Sequence, residues 1–152
     1  MQITFSDNIR SVLNNIRLLV LQFKGDVGNY DDNMWKVIEN HVKRINQSIK
    51  LENINKIEAI KATRQAYKTC GKDPNRYRPS AESLIRRIVK GNDLYKVNNV
   101  VDVLNIISFQ SGISIGGYDT DKVVDNVLMD IGKSSDNYIG IGRGVLNIEG
   151  LP

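Results

Sequence analysis

Residues 97–119 read Val97-Asn98-Asn99-Val100-Val101-Asp102-Val103-Leu104-Asn105-Ile106-Ile107-Ser108-Phe109-Gln110-Ser111-Gly112-Ile113-Ser114-Ile115-Gly116-Gly117-Tyr118-Asp119. The period of the pattern changes inside this stretch. From about Asn99 to Ser111 the spacing predicts a helix, with Val100, Val103, Leu104 and Ile107 on one side and a stop at Gly112. Beyond Gly112 the pattern becomes alternation: Ile113/Ile115, Val127/Met129/Ile131, Tyr138/Ile139/Ile141 and Val145/Leu146/Ile148. Those are predicted strands, with a polar turn at Lys133-Ser134-Ser135-Asp136-Asn137.

Upstream the chain is mainly helical. Asp31-Asp32 cap a predicted helix whose apolar residues Trp35, Ile38, Val42, Ile45 and Ile49 step by three and four. A second helix is expected from about Asn53 to Thr69, stopping at Gly71, and a third is capped by Ser80 and ended by Gly91. Before them, residues 1–29 read as a strand, a short helix and a second strand from Ile16 to Lys24. Helices followed by a block of strands imply an α+β fold, with amphipathic helices packed on a mixed or antiparallel sheet or sandwich.

The 152 residues, 41% hydrophobic and 25% charged, fit a single domain spanning 1–152 with a real core. The longest apolar runs, such as Leu18-Leu19-Val20-Leu21, are far too short to cross a membrane, and the first residues do not form a signal peptide. Cys70 is the sole cysteine and no Cys/His cluster offers a metal site, so neither a disulfide, a metal nor another cofactor is expected. These features point to the reducing cytoplasm. The net charge of +4 is unevenly spread: Lys56–Lys90 holds ten basic residues against three acids. Such a segment suits a polyanion, although a merely solvated face is an equal reading.

No catalytic residue is assignable. His41, the sole histidine, sits at the margin of a buried helix face and lacks the partners of a triad. Cys70, beside the helix stop Gly71, reads as inert, although Lys68 and Lys72 would lower its pKa if it were exposed. The run Gly140-Ile141-Gly142-Arg143-Gly144 leads into a strand pattern and is not a dinucleotide loop. On the 99–111 helix, Asp102, Asn105 and Phe109 share one stripe at i, i+3 and i+7. Polar groups there either tie down the following glycine-rich segment or line a small pocket. Gly116-Gly117 implies close backbone approach or positive φ, serving either a pocket or a strand bend.

The stretch Val97–Asn105 resembles the Ile-Asn-Asn-Val-Val-Asp-Val-Thr-Asn motif of the B3/B4 domain of the phenylalanyl-tRNA synthetase beta subunit. Ser111–Asp119 is similar to the Leu-Gly-Gln-Pro-Met-His-Ala-Phe-Asp that follows, and Arg76–Arg87 looks like the matching stretch of free-standing members. The similarity covers about residues 61–151. It implies an editing-like domain that binds tRNA, with hydrolysis of mischarged aromatic aminoacyl-tRNA in trans as the associated activity. An apolar pocket rejects an extra hydroxyl by only about a hundredfold, so a second, hydrolytic site completes the discrimination. That hydrolysis needs a positioned water rather than a covalent nucleophile.

On this resemblance Asn105, Gly116, Gly117 and Tyr118 shape the substrate pocket, while Asn99, Asp102 and Asp119 are structural parts of the motif. Asp102 is expected to accept hydrogen bonds from the 111–119 segment. Arg64, Lys68, Arg76, Arg78, Arg86 and Arg87 are the expected phosphate contacts, with Tyr77 stacking on a base. Two departures bear on activity: the motif's threonine is Leu104 here, and its histidine is Gly116. Relatives usually continue past Gly150-Leu151-Pro152, so either the C-terminal part of the domain is missing or its pocket is open. The competing expectation is a non-catalytic module that keeps the fold and binds an amino acid or a protein.

Overall fold

The computed structural model describes residues 2–140 and 144–152. Its order is β1 (Ile3–Phe5), α1 (Asp7–Val12), α2 (Asp32–Ser48), a 3-10 helix (Leu51–Lys56), α3 (Glu58–Thr69), α4 (Ser80–Val89), α5 (Asn99–Ser111), a 3-10 turn (Thr120–Lys122), β2 (Val127–Met129), β3 (Tyr138–Gly140) and β4 (Gly144–Leu146). The class is α+β. The chain divides into two compact units: Met1–Val20 with Gln65–Tyr77 and Tyr118–Pro152, and Leu21–Arg64 with Arg78–Gly117.

The first unit holds the strands, in two separate two-stranded sheets. β1 pairs with β2 in parallel, Ile3 opposite Val127 and Phe5 opposite Met129. β3 pairs with β4 antiparallel, Tyr138 opposite Leu146 and Gly140 opposite Gly144. Gly140 and Gly144 thus face each other across a strand pair, with no helix after them. Ile141, assigned above to a strand, lies outside the described residues. Ser6 caps α1 by accepting the Ile9 N–H at 3.1 Å, and Ile9 is fully buried.

The second unit is helical and carries the main core: Trp35, Ile38, Ile45, Ile54, Ile60, Ile85, Ile88 and Phe109. The α2 stripe behaves as its spacing requires, and Asp31 caps the helix by accepting the Met34 N–H at 2.8 Å. The helix expected over 53–69 is broken. Ile57, at φ −58 and ψ 126, separates the 3-10 helix from α3. On one continuous helix Ile54 and Ile60 would point about 120° apart. With the break, both bury completely.

Three further expectations are corrected. Ile16–Lys24 forms no strand: its run of Leu18, Leu19, Val20, Leu21 and Phe23 is exposed, and no ladder pairs with it among the described residues. Strand-like composition does not make a strand without a partner. Ile113 and Ile115 are also irregular. The Ser108 hydroxyl donates to the Ile113 carbonyl at 2.7 Å and the Ser111 hydroxyl accepts the Ile113 N–H at 3.2 Å, so side chains occupy both backbone groups. The cap of α4 is Pro79, with no side-chain bond, and Ser80 is the first helical residue.

Candidate functional site

The α5 helix organises the second unit's polar features. Asn98, in extended backbone, accepts the Val101 N–H at 2.8 Å and starts the helix; Gly112, at φ 72, ends it in the left-handed conformation. Asn99 reaches the other way. Its Oδ1 accepts the Gly28 N–H at 3.0 Å and its Nδ2 donates to the Asp26 carbonyl at 3.0 Å. One side chain therefore clamps the 26–28 turn to the start of α5.

Asp102 is buried and accepts two bonds: Trp35 Nε1–H at 2.7 Å and the Val97 N–H at 3.0 Å. Its partners are thus α2 and the loop before α5, not the 111–119 segment. A carboxylate replaces water for both donors, and charge-assisted bonds are the stronger kind. Asn105 and Phe109 follow on the same stripe. Together with Trp35, Ile38, Leu94, Tyr95 and Asp102 they line a void of about 10 Å³, the room of a single water.

The other expected pocket residues do not join that void. Gly116, Gly117 and Tyr118 are exposed, Tyr118 at 83%. Neither glycine has a positive φ. Gly117 is nevertheless tightly placed: a Cβ there would come 2.6 Å from Leu104 Cδ1. The residue standing where the motif has threonine therefore packs against the glycine segment. Asp119 caps the short 3-10 turn by accepting the Asp121 N–H at 3.0 Å.

A larger groove of about 310 Å³ lies elsewhere in the second unit. Ile45, Ile49, Ile57, Ile85 and Phe109 form its apolar part, and His41, Arg44, Ser48 and Gln110 its polar part. None of the expected pocket residues lines it. Among the described residues no group of three or more His, Cys, Asp or Glu could hold a metal ion, and no helix is long and apolar enough to cross a membrane.

The expected phosphate contacts fall into two sets. Arg64 and Arg86 both bind the fully buried Glu82: Arg64 Nη1 at 2.9 and 3.1 Å from its two oxygens, Arg86 Nε at 2.7 Å. Their charge is partly spent on this internal acid. Lys68, Arg76 and Arg78 are exposed and carry no ion pair among the described residues. Tyr77 is half-buried, with Lys72 Nζ 4.9 Å and Arg76 Cζ 5.6 Å from its ring centroid. Arg87 lies over Tyr95, 4.1 Å from the centroid, and its Nε–H donates to the Asp93 carbonyl. Tyr95 and Tyr30, the latter under Lys96 at 4.7 Å, were not indicated by the helical or strand patterns. Cys70 is only partly exposed, and burial pushes its thiol pKa up, opposite to the lowering expected from Lys68 and Lys72.

The family model described as the B3/4 domain matches residues 62–149, more than half of the chain. The chain belongs to the B3/4 domain family. The match is of the phenylalanyl-tRNA synthetase beta-subunit type, which makes this B3/4 domain a tRNA-synthetase-related protein. It runs through α4, α5 and β2 to β4, and so includes Asn99, Asp102, Gly117 and the buried Glu82. Searches of curated proteins and of solved structures returned no match.

Proposed function

We propose that this B3/4 domain binds the acceptor end of an aminoacyl-tRNA in the cytoplasm and hydrolyses mischarged aromatic esters in trans. The observation that carries the reading is the cation set at 68–78. Among the described residues Lys68, Arg76 and Arg78 are exposed and make no ion pair, in a chain whose family is tied to tRNA aminoacylation. Phosphates are the polyanion that such a set would neutralise. The family match runs through segments of both units, which supports treating 1–152 as one B3/4 domain.

For the chemistry, this reading relies on backbone rather than on a nucleophile. The exposed Gly116-Gly117 backbone would receive the aminoacyl group. Leu104 supports that segment from beneath through its contact at Gly117. A water assisted by the ribose hydroxyl would attack the ester carbonyl; the ester C–O bond breaks and the ribose oxygen takes the proton.

One observation favours a second reading, a non-catalytic module binding an amino acid or a protein. The void beside Asn105 has the room of one water, and Gly116–Tyr118 is exposed rather than enclosed. Binding of tRNA across a salt series tests the first reading. Affinity should fall by about one log unit per log salt for each phosphate contact, and Arg76→Glu with Arg78→Glu should flatten that slope. Salt-independent binding, or none near physiological salt, would contradict it.

A further inference from the structure

The loop between α4 and α5 places two cation–aromatic pairs at neighbouring sequence positions. Arg87 sits 4.1 Å from the Tyr95 centroid, and its bond to the Asp93 carbonyl anchors the guanidinium at the ring. Tyr95 stays 70% exposed. The next residue, Lys96, puts its ammonium 4.7 Å from the Tyr30 centroid and 5.1 Å from that of Trp35. Tyr30 is 45% exposed, and the one acid near Lys96 among the described residues is Asp32, at 3.9 Å.

Holding large rings in solvent on irregular backbone forfeits burial and costs chain entropy. Here the backbone is held in place. Asp102 takes the Val97 N–H, fixing the loop just after Tyr95 and Lys96. Asn99 holds the 26–28 turn, which fixes the chain just before Tyr30. Two polar residues of α5 therefore set both aromatic positions against the start of the same helix. Each ring is paired with a cation, and most of Tyr95 is left for a partner.

We propose that Tyr95 and Tyr30, backed by Arg87 and Lys96, form a stacking platform for the unpaired nucleotides of a single-stranded RNA. Rings accept bases of any identity, and the adjoining cations neutralise the intervening phosphates. An acidic peptide would use the cations but gain little from two exposed rings. The inference rests on the RNA-binding reading above and adds the place where an unpaired end would lie.

Fluorescence anisotropy of a labelled single-stranded RNA of about ten nucleotides, titrated with the full chain at low salt, tests it. Tyr95→Ala should weaken binding by about tenfold or more, Tyr30→Ala should also weaken it, and Tyr95→Phe should bind nearly as the wild type does. Melting curves check that each variant folds; Tyr95→Leu replaces Tyr95→Ala if the latter does not. Undiminished binding by Tyr95→Ala and Tyr30→Ala, with loss in Arg76→Glu/Arg78→Glu, would overturn the platform and leave the RNA-binding reading intact. No RNA binding by the wild type, or binding of an acidic peptide in its place, would overturn both. Tyr95-dependent RNA binding without ester hydrolysis would uphold the platform while removing the hydrolytic part of the proposed function.

Discussion

The indole N–H of Trp35 donates to the buried carboxylate of Asp102 at 2.7 Å, joining α2 to α5 across the core of the helical unit. The other Asp102 oxygen holds the Val97 N–H at 3.0 Å. Asp102→Ala would take the acceptor away from both donors. Its expected cost is about 1–3 kcal/mol in chemical denaturation, with a change in Trp35 fluorescence. Asp102→Asn keeps the shape but offers an N–H to one of two donors, so it should rescue only part of the loss. An unchanged denaturation midpoint in both variants would contradict this role.

Glu82 is fully buried between Arg64 and Arg86. Removing the acid takes the carboxylate away from two guanidiniums at once. Glu82→Ala should therefore destabilise the fold by about 3–5 kcal/mol, far more than Arg86→Ala, which leaves Arg64 on the carboxylate. Equal losses in the two variants, measured by thermal melts, would count against this ordering.

Gly132 lies against the C-terminal segment. Its N–H donates to the Leu151 carbonyl at 2.8 Å, and its carbonyl accepts the Gly150 N–H at 2.7 Å. A Cβ there would stand 2.2 Å from the Ile148 carbonyl oxygen. Since that atom is backbone, Gly132→Ala should cost about 1–3 kcal/mol and raise amide exchange over 148–151. Wild-type exchange at Leu151 would refute it.

Much of the helical frame was legible in the sequence. The α5 boundaries follow from helical spacing and the stop at Gly112, and α2 follows from its three–four stepping, because these signals are local. The strand at 16–24 was misread because a strand exists only if something pairs with it, and pairing is not written in the run itself. The break at Ile57 escaped because burial of Ile54 and Ile60 overrode continuous helix. At the site, Glu82 and Arg86 stand at helical spacing and could have been paired by inspection, but Arg64 joins them from another helix. The Tyr30–Lys96 and Trp35–Asp102 relationships join distant positions and left no local trace. Tyr95 carries a visible hint, an aromatic next to a lysine in a loop following two arginines.

Asp130 links the strand pair to the start of the chain. Its carboxylate accepts the Ser6 hydroxyl at 2.5 Å, the Ile131 N–H at 2.8 Å and the Asn8 amide at 3.3 Å. These bonds, that of Ser6 first, hold its carboxyl below the ordinary carboxylate range. A folded pKa below the unfolded one gives stabilisation that is present above the unfolded value and lost as pH falls through the folded one. As pH falls below about 4, the ordinary carboxylate range, the wild type should therefore lose stability more steeply than Asp130→Asn. Parallel acid limbs in thermal melts would contradict the assignment.

Deacylation of tyrosyl- and phenylalanyl-tRNA, measured side by side, tests the proposed hydrolysis of aminoacyl-tRNA. Leu104 packs against Gly117 and supplies no polar group, so the backbone-based site proposed here would not read the tyrosine hydroxyl through that position. Slow, comparable deacylation of both esters by the purified chain, above the rate without protein, is expected. Rates no faster than that blank would contradict hydrolysis, and a tyrosyl preference above about a hundredfold would contradict the backbone-based site.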